Sequence, residues 1–334
     1  MRKTLFWIAV SAVCLCSCAK NATENSNEAA KRYFDAWIRS NYPDAQKTYP
    51  GIYIVEDIPG TGELIGDPVD SLFIEADYTI RALDGQYASY TYADIAKQLG
   101  EYNKTKCYGP QLMTFGSGGT YAGPEYAFKT MRVGGSRKIV IPGWLFTLNR
   151  YDKEEDYIKN VTGTSYIYDV HMTARIPDEP KWEVDSIGRY IGRLYGKSVS
   201  DSLKYGFYYI RTKEPKDTTS YKADSTFYIN YIGRRLDGQV FDTTIKDTAI
   251  MNGVYRSGAD YKPVKITYAN SYTDIKMSGN SVIDGFAYAL YQMKPYESCT
   301  AIFYSALGYS SSGSGDMIPQ FSPLRFDISI VDSQ

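Results

Sequence analysis

The sequence is poor in histidine, which is common in metal and hydrolytic sites. Its 334 residues include one histidine, His171, which excludes a multi-histidine metal site. A Ser-His-Asp triad would have to use this residue, and no motif around it indicates one. The formal net charge of −1 offers little attraction for nucleic acid or an anionic membrane surface. We therefore expect no cofactor, no metal and no nucleic-acid partner.

Cysteine is also scarce beyond the N-terminal region. Only Cys107 and Cys299 follow residue 18, and they are far apart in the chain. One disulfide between them is possible in an oxidising compartment. Two isolated cysteines are more often free and buried, and this is the interpretation that we favour.

Long apolar runs are missing too, apart from one near the N terminus. Leu5–Leu15 has eleven residues and follows Arg2 and Lys3. A bilayer core needs about twenty apolar residues, so this run is too short to span it and suits a secretory signal. The next residues, LCSC, resemble the lipobox of bacterial lipoproteins and imply acylation of Cys18. The alternative is a plain cleaved signal peptide.

These features divide the N-terminal region. Residues 1–17 are predicted to be a lipoprotein signal peptide, and residues 18–28 a flexible, polar tether. Removal of residues 1–17, which hold two basic residues and no acid, changes the net charge from −1 to −3. Ala19 after Cys18, where some lipoproteins have Asp, implies outer-membrane sorting by the same resemblance. The expected location is the cell envelope, with the membrane as a partner through the lipid on Cys18 and the membrane face left open.

The remainder of the chain contains an internal repeat. Four blocks recur in the same order, at offsets of 155, 153, 162 and 158 residues: GIYIVED at Gly51 and GFYYIRT at Gly206, DYTIRALDGQ at Asp77 and NYIGRRLDGQ at Asn230, GPEYAFKTM at Gly123 and GFAYALYQM at Gly285, and YDVHM at Tyr168 and FDISI at Phe326. Small drifts in offset indicate a duplication with loop insertions. We predict two domains, at residues 29–177 and 178–334.

Each copy is predicted to begin with an amphipathic helix. Apolar residues recur at helical spacing in both: Ala30, Tyr33, Phe34, Trp37 and Ile38 in the first, and Val184, Ile187, Ile191 and Leu194 in the second. Pro180 suits the first turn of the second helix. Such a helix can bind a partner, but packing on its own domain is the more common arrangement.

The rest of each copy has the composition of strands around one short helix. The Asp-Gly of LDGQ predicts a tight hairpin. A short helix is predicted from Pro124 to Gly134 in the first copy, and from near Ser281 to before Pro295 in the second. Strands combined with a single helix of this kind give an α+β domain.

The second copy carries a family resemblance. It reads YIGRRLDGQVFDTT, then VIDGFAYALYQM, ALGY and MIPQFSPLRFDISIV. This order resembles the FK506-binding type of peptidyl-prolyl isomerase, with its Y-x-G-x-x-x-DG-x-x-FD, V-I-x-G-W, A-Y-G, I-P-P and F-D-V motifs. The resemblance covers about Gly206 to Val331 and, more weakly, Gly51 to Ile176. It implies two FKBP-like domains, each an antiparallel sheet curled over a helix, with an apolar pocket between them.

The resemblance also implies a proline-binding site. Its residues would be Tyr231 of Y-x-G, Phe241 and Asp242 of the Phe-Asp pair, Val282 and Ile283 with their backbone, Phe286 at the pocket floor, Met317 and Ile318 as the late apolar pair, and Phe326 of the last strand. Leu307 falls where the family has the Tyr of A-Y-G, a donor to the substrate carbonyl. Tyr309 is a candidate to supply that hydroxyl instead.

Such a site needs neither nucleophile nor metal. Resonance gives peptide-bond rotation a barrier of about 18–20 kcal/mol, and unaided X–Pro bonds isomerise in tens to hundreds of seconds. An apolar pocket favours the twisted, less polar transition state. The phenylalanines would grip the proline ring, and Tyr231 and Asp242 would position polar groups. Proline-containing polypeptides are the expected partners.

The first copy lacks most of these residues. The Phe-Asp pair falls on Ala88 and Ser89, the floor on Pro124, and the Val-Ile pair on residues 120–121. No segment like A-Y-G stands before Tyr166. We predict a degenerate, non-catalytic first domain used for scaffolding or client binding.

Three functions remain open from the sequence. The leading one is an exported, lipid-anchored prolyl isomerase or chaperone that is catalytic in its second domain. The main rival is a non-catalytic lipoprotein that binds peptides, clients or glycans, favoured by Leu307, by the insertion between Asp242 and Val282 and by the 33 tyrosines. The third is a structural subunit of an envelope complex.

Overall fold

The chain forms two antiparallel sheets, one in each copy of the repeat. The computed structural model describes residues 26–69, 72–116, 118–196 and 202–333. The predicted signal peptide, Cys18 and Ala19 lie outside these ranges. Within them, no helix has both the length and the apolar character that crossing a membrane requires.

The first sheet is built between residues 46 and 176. Its strands are β1 (Gln46–Thr48), β2 (Ile52–Ile58), β3 (Phe73–Ala82), β4 (Tyr87–Tyr90), β5 (Gln111–Thr114), β6 (Ser136–Ile141) and β7 (Tyr166–Ile176). The helices of this copy are α1 (Ser26–Asn41), α2 (Ala93–Leu99), α3 (Ala122–Phe128) and α4 (Glu154–Asn160). The strand order is β1-β2-β6-β7-β3-β4, with β5 also paired to β3. We call α1 to β7 the first domain.

The second sheet is built between residues 202 and 331. Its strands are β8 (Ser202–Lys204), β9 (Phe207–Lys213), β10 (Thr226–Arg235), β11 (Val240–Thr243), β12 (Val264–Thr267), β13 (Lys276–Met277), β14 (Asn280–Ser281), β15 (Ser298–Phe303) and β16 (Leu324–Val331). The helices are α5 (Glu179–Tyr195), α6 (Lys246–Asn252) and α7 (Asp284–Gln292). We call α5 to β16 the second domain.

The two sheets repeat one topology. The order β2-β6-β7-β3 in the first domain matches β9-β15-β16-β10 in the second. In both, two further strands pair one after the other along the remaining edge of one strand: β4 and β5 along β3, and β11 and β12 along β10. The second domain adds the β13–β14 hairpin, which pairs with β12. This hairpin lies where the repeat offset increases from 153 to 162 residues. The predicted α+β fold is confirmed.

Helix α1 packs on the first sheet. The ring of Phe34 lies 5.8 Å from that of Tyr53 and 5.3 Å from that of Trp144, both edge to face. Two details of the prediction are wrong. The helix begins at Ser26, so the end of the predicted tether at residues 18–28 is helical. Tyr33 is 63% exposed, because the buried side of the helix follows Phe34 instead.

Helix α5 packs on the second sheet. The Asp178 side chain caps it by accepting a hydrogen bond from the Lys181 amide at 3.1 Å, and Pro180 occupies its first turn. One cluster of buried residues joins this helix to β9 and β15: Ile187, Tyr190, Ile191, Tyr208, Ile210 and Ile302. Leu194, predicted on this face, is 53% exposed near the helix end. Both N-terminal helices therefore pack on their own sheets.

The short central helices start at equivalent positions. Ile283 before α7 and Tyr121 before α3 are both extended, with ψ near 147°. Helix α7 thus begins after the predicted Ser281, and α3 ends at Phe128, well before the predicted Gly134. Gly285 allows α7 to approach the sheet closely, since a Cβ there would lie 2.4 Å from the Phe303 ring.

The two cysteines form no disulfide, as favoured from the sequence. Cys299 is buried in β15, and Cys107 is half-buried in the first domain. Burial raises the pKa of both thiols above the ordinary value. Both side chains are therefore expected to remain thiols at neutral pH.

Candidate active site

A groove of about 330 Å³ lies between the second sheet and α7. Seven of the predicted site residues line it: Tyr231, Phe241, Asp242, Val282, Ile283, Phe286 and Phe326. Met277, Ser281 and Tyr309 line the remainder. Residues that are almost a hundred positions apart in the chain therefore meet around one groove.

Phe326 is at the centre of the aromatic wall. Its ring centroid lies 4.8 Å from that of Phe286 and 5.6 Å from that of Phe241. The Tyr231 ring meets Phe286 edge to face at 5.3 Å. Aromatic pairs at such distances hold one another in fixed orientations. The wall is therefore a rigid apolar surface, open on the groove side.

Gly233 makes this wall possible. A Cβ at this position would lie 2.7 Å from Cε2 of Phe241 and 3.0 Å from Cε1 of Phe326. Gly233 pairs with Asp242 across β10 and β11, and the register shifts by one residue directly after it. The sequence motif contains this glycine, but it was not identified as a site residue. Any side chain here would displace the Phe241 ring.

Tyr231 and Asp242 form the polar rim. The Tyr231 hydroxyl donates to Oδ2 of Asp242 at 2.6 Å, and the Thr243 amide donates to Oδ1 at 3.0 Å. Burial and then the negative charge of Asp242 raise the pKa of Tyr231, so it remains a donor at neutral pH. Beyond this rim lies a more polar cavity of about 210 Å³, lined in part by Arg256 and Lys262.

Three predicted residues do not line the groove. Leu307 is 7% exposed and Ile318 is 3% exposed, and both belong to the core of the second domain. Met317 packs against the same core. Leu307 ends a 3₁₀ turn, Ser305–Leu307, that directs its side chain inward. These side chains support the groove from behind.

Tyr309 brings a second phenol to the groove. It lines the groove together with Asp242, and burial followed by the Asp242 charge raises the pKa of its phenol. The hydroxyl is therefore protonated at neutral pH and can donate. The substitution of Tyr309 for the tyrosine missing at Leu307 stays a prediction.

Comparison with protein families agrees with this geometry. Residues 217–331 match the family model of the FKBP-type peptidyl-prolyl cis-trans isomerases. The matched residues make up most of the second domain, so this family match is a finding about the second domain alone. No curated protein matches the chain at a significant level.

Solved structures show weak likeness to the chain. The three FKBP domains of wheat FKBP73 are 17% identical, with 85% of this chain and 95% of that chain covered and a TM-score of 0.30. A peptidyl-prolyl isomerase from Pseudomonas syringae pv. tomato is 20% identical, with 46% and 96% covered and a TM-score of 0.29. FkpA from Escherichia coli is 18% identical, with 45% and 59% covered and a TM-score of 0.29. The assignment to the FKBP type rests on the family match and the motifs.

The first domain lacks the Phe-Asp pair of an FKBP-type site. Ile80 pairs with Ser89 just as Gly233 pairs with Asp242, which places Ala88 and Ser89 at the predicted positions. A turn equivalent to Ser305–Leu307 precedes Tyr166, although its sequence has no A-Y-G motif. It is the 3₁₀ turn Gly143–Leu145, which follows β6 as its counterpart follows β15. Its sequence, GWL, differs from the SAL of the second domain, so the two turns cannot be matched by sequence.

His171 has a structural partner in the first domain. Its Nδ1 lies 2.9 Å from Oγ of Ser136 on the neighbouring strand. At the equivalent positions of the second domain, Ser298 and Ser329 form a hydroxyl–hydroxyl bond of 2.9 Å. The contact is thus a cross-strand polar pair in both copies. Among the described residues, no group of three or more His, Cys, Asp or Glu side chains could hold a metal ion.

Proposed function

We propose that the second domain catalyses cis-trans isomerisation of X–Pro bonds in polypeptide clients. The observation that carries the proposal is the groove itself, where Phe241, Phe286 and Phe326 form an apolar wall beside the hydrogen-bonded pair of Tyr231 and Asp242. A proline ring fits the chemistry of the wall, and the rim accommodates the polar amide. The family match supports the same reaction.

In the proposed mechanism, the groove stabilises the twisted amide more than the planar amide. The planar amide is stabilised by resonance and charge separation, and both are lost when the bond twists. An apolar, water-poor groove favours the twisted form over the planar form. The extended backbone at residues 282–283 borders the groove and offers hydrogen-bonding groups to an extended peptide. Tyr309 supplies a donor to the twisted carbonyl.

The test measures isomerisation of a short X–Pro peptide by the full chain. Phe241→Ala should lower kcat/KM by at least about tenfold, because a wall of the apolar groove is removed. Asp242→Ala should lower it by a similar factor, because Tyr231 loses its acceptor. The matched control is Ser89→Ala, the equivalent position in the first domain, which should leave the rate unchanged. Equal rates for all four proteins would contradict the proposal.

The alternative is peptide binding without catalysis. Leu307 favours it, because the side chain at the family's tyrosine position is buried in the core and donates no hydrogen bond. Under this alternative the full chain binds the X–Pro peptide but does not accelerate its isomerisation. Binding that weakens in Phe241→Ala, without any measurable catalysis in the original chain, would favour it.

We also propose that the protein is a lipoprotein of the cell envelope. The LCSC sequence supports acylation at Cys18, and Ala19 supports sorting to the outer membrane. Two or more acyl chains anchor a protein stably. Residues that follow Cys18 would then hold the two domains away from the membrane surface.

A further inference from the structure

The first domain has a cavity at the position of the FKBP-type groove. It occupies about 200 Å³ between the sheet and α3. Tyr78 and Ile80 line it from β3, and Tyr121 and Pro124 from the start of α3. The side chains around it carry no charge. The loss of the Phe-Asp pair has therefore not closed the pocket.

Two positions of the cavity wall differ from their counterparts in the second domain. Ile80 is at the position of Gly233, and Ala88 is at the position of Phe241. A Cβ at Gly233 would collide with the Phe241 ring, so an isoleucine there requires a small residue in place of the ring. Ile80 now lines the cavity from the position that glycine leaves empty. The first domain has an apolar pocket of its own composition.

The cavity adjoins the outer edge of β5, where the Thr120 hydroxyl donates to Thr114 O at 3.2 Å. Strand β5 is equivalent to β12: the Phe115 amide donates to Leu72 O at 2.7 Å, as the Tyr268 amide donates to Ser225 O at 2.8 Å. Because hydrogen-bonding direction alternates along a strand, the backbone groups of Leu112 and Thr114 point away from β3.

In the second domain the chain itself covers this edge. Lys265, the equivalent of Leu112, accepts a hydrogen bond from the Ser278 amide at 2.9 Å, and β13 pairs alongside. The first copy is nine residues shorter at this point, as the offsets of 153 and 162 show. In the described part of the first domain, no strand pairs with the outer edge of β5.

We propose that an extended polypeptide segment pairs with the outer edge of β5 and inserts one uncharged apolar side chain into the cavity. Exposed strand edges bind extended chains through main-chain hydrogen bonds, and adjacent pockets select their side chains. Met113 lies on β5 and lines the cavity, so the edge and the pocket adjoin. The incoming segment replaces the β13 that this copy lacks.

The uncharged lining determines the chemistry of the guest. A charged side chain would lose its hydration in the cavity and find no opposite charge there. The volume suits one side chain, so the partner is a flexible segment that presents an isolated apolar residue. With Ser89 in place of Asp242, the site binds such a segment without acting on a peptide bond. This role is independent of the proposed isomerase activity.

The test uses the full chain and a fluorescently labelled capped peptide, acetyl-Thr-Thr-Leu-Thr-Thr-amide. Fluorescence anisotropy should show saturable binding. Aspartate in place of leucine should weaken binding by at least about tenfold, since burial of the apolar side chain is lost. Backbone N-methylation at alternate residues should weaken it similarly, because the donors of the incoming strand are removed. Neither comparison alters the protein.

Two protein variants test the location. Gly119→Trp fills the cavity mouth, where a Cβ would have no neighbour closer than 3.6 Å. Thr114→Pro removes an outward amide, a change that edge strands tolerate. Each should weaken leucine-peptide binding by at least about tenfold and leave prolyl isomerisation unchanged. Thr218→Trp, at an exposed site in the second domain, is the control for a non-specific effect of tryptophan.

Three results would overturn the proposal. The first is equal binding of the leucine and aspartate peptides. The second is binding that survives both Gly119→Trp and Thr114→Pro. The third is concentration-dependent self-association that Thr114→Pro abolishes, with no peptide binding, because a second copy of the chain would then occupy the edge. Absence of isomerase activity would contradict the proposed function and leave this test unaffected.

Discussion

At the residue scale, Gly233 and Phe241 depend on each other. The space for the Phe241 ring exists only because residue 233 has no side chain. In the first domain both positions have changed together, to Ile80 and Ala88. The two positions therefore have to change together. Glycine with phenylalanine gives one pocket, and isoleucine with alanine gives another.

This dependence predicts a non-additive pair of variants. Gly233→Ile alone should lower the free energy of unfolding by about 1–3 kcal/mol and abolish isomerase activity, since the new side chain displaces the ring. Adding Phe241→Ala should restore much of the stability but not the activity, because the ring wall is gone. Urea unfolding of the two single variants and the double variant measures the coupling. Simple additivity of the three values would contradict the steric explanation.

Tyr309 gives a second prediction at this scale. Tyr309→Phe removes the hydroxyl that lines the groove and keeps the ring. If this hydroxyl donates to the twisted carbonyl, kcat should fall by about tenfold or more with little change in KM. Steady-state kinetics on an X–Pro peptide provide the measurement. Tyr304→Phe, a change outside the groove, is the control, and an unchanged kcat for Tyr309→Phe would assign the donor role elsewhere.

The motifs predicted most of the residues that line the groove, but not which way every side chain faces. Motif order predicted that Phe241, Asp242 and Phe286 line one groove, and they do. The pairing of β11 with β10 fixes the register of the first two, and Phe286 comes from α7. Motif order failed for Leu307 and Ile318, since whether a side chain faces the groove or the core depends on how the following turn closes. It also missed the first-domain cavity, because lost motif residues suggested a lost pocket. The simultaneous change at Ile80 and Ala88 was the available signal.

At the element scale, a buried carboxyl group ties α5 to the 3₁₀ turn Ser305–Leu307. Glu183 is fully buried, and it accepts hydrogen bonds from the amide and the hydroxyl of Ser305 at 2.6 and 2.5 Å. Burial and then hydrogen bonding with Glu179 raise the pKa of Glu183 to about 9. At neutral pH this carboxyl is therefore protonated in the folded protein.

The raised pKa predicts how stability depends on pH. In the unfolded chain Glu183 has an ordinary pKa of about 4.3. Its contribution to folding is complete below that pH and is lost as the pH rises to about 9. Glu183→Gln, which remains neutral, should be more stable than the original chain at pH 8, by roughly a few kcal/mol.

Chemical unfolding across pH 4 to 9 tests this expectation. The stability difference between Glu183→Gln and the original chain should increase across this range. Asp185→Asn is the matched control on the same helix. The Asp185 side chain is 50% exposed and forms a surface salt bridge with Lys181. Parallel profiles for Glu183→Gln and the original chain would mean that Glu183 ionises normally.

The sequence predicted the elements better than their ends. The repeat, the helical spacing and the Asp-Gly hairpins indicated both sheets and both N-terminal helices. Helix α7 begins at Asp284, after the predicted Ser281, because the apolar residue Ile283 is extended. Helix α3 instead begins at Ala122, before the predicted Pro124. The only sign of the β13–β14 hairpin in the sequence was the increase of the repeat offset from 153 to 162 residues. Its two-residue strands are too short to show a periodic pattern.

At the scale of the whole molecule, the first domain contacts the loop that carries Tyr309. The Cys107 amide donates to Asp316 O at 3.1 Å. Arg235 donates to Thr105 O at 3.4 Å and also to Met317 O. The repeat gave no sign of this contact, because Arg235 is not shared by the two copies. The first copy has Ala82 at the equivalent position. The arrangement of the two domains thus depends on residues that differ between the copies.

The proposed anchor gives the prediction at this scale. In a bacterium that processes lipoproteins, Cys18→Ala should move the protein from the membrane fraction to the soluble fraction and abolish labelling by radioactive palmitate. Cys16→Ala should remain in the membrane fraction, since the proposed acylation site is retained. Membrane association that persists without any label in Cys18→Ala would mean that the signal segment itself, uncleaved, holds the protein.

The exchange of Gly233 and Phe241 for Ile80 and Ala88 also restricts the history of the duplication. A single step to isoleucine with the ring still present produces a collision, whereas a step from phenylalanine to alanine leaves a folded domain with a wider groove. The accessible route between the two compositions therefore passes through glycine with alanine. A change from glycine and phenylalanine to isoleucine and alanine by single steps must therefore lose the ring before it gains the isoleucine, and the reverse change must lose the isoleucine before it regains the ring.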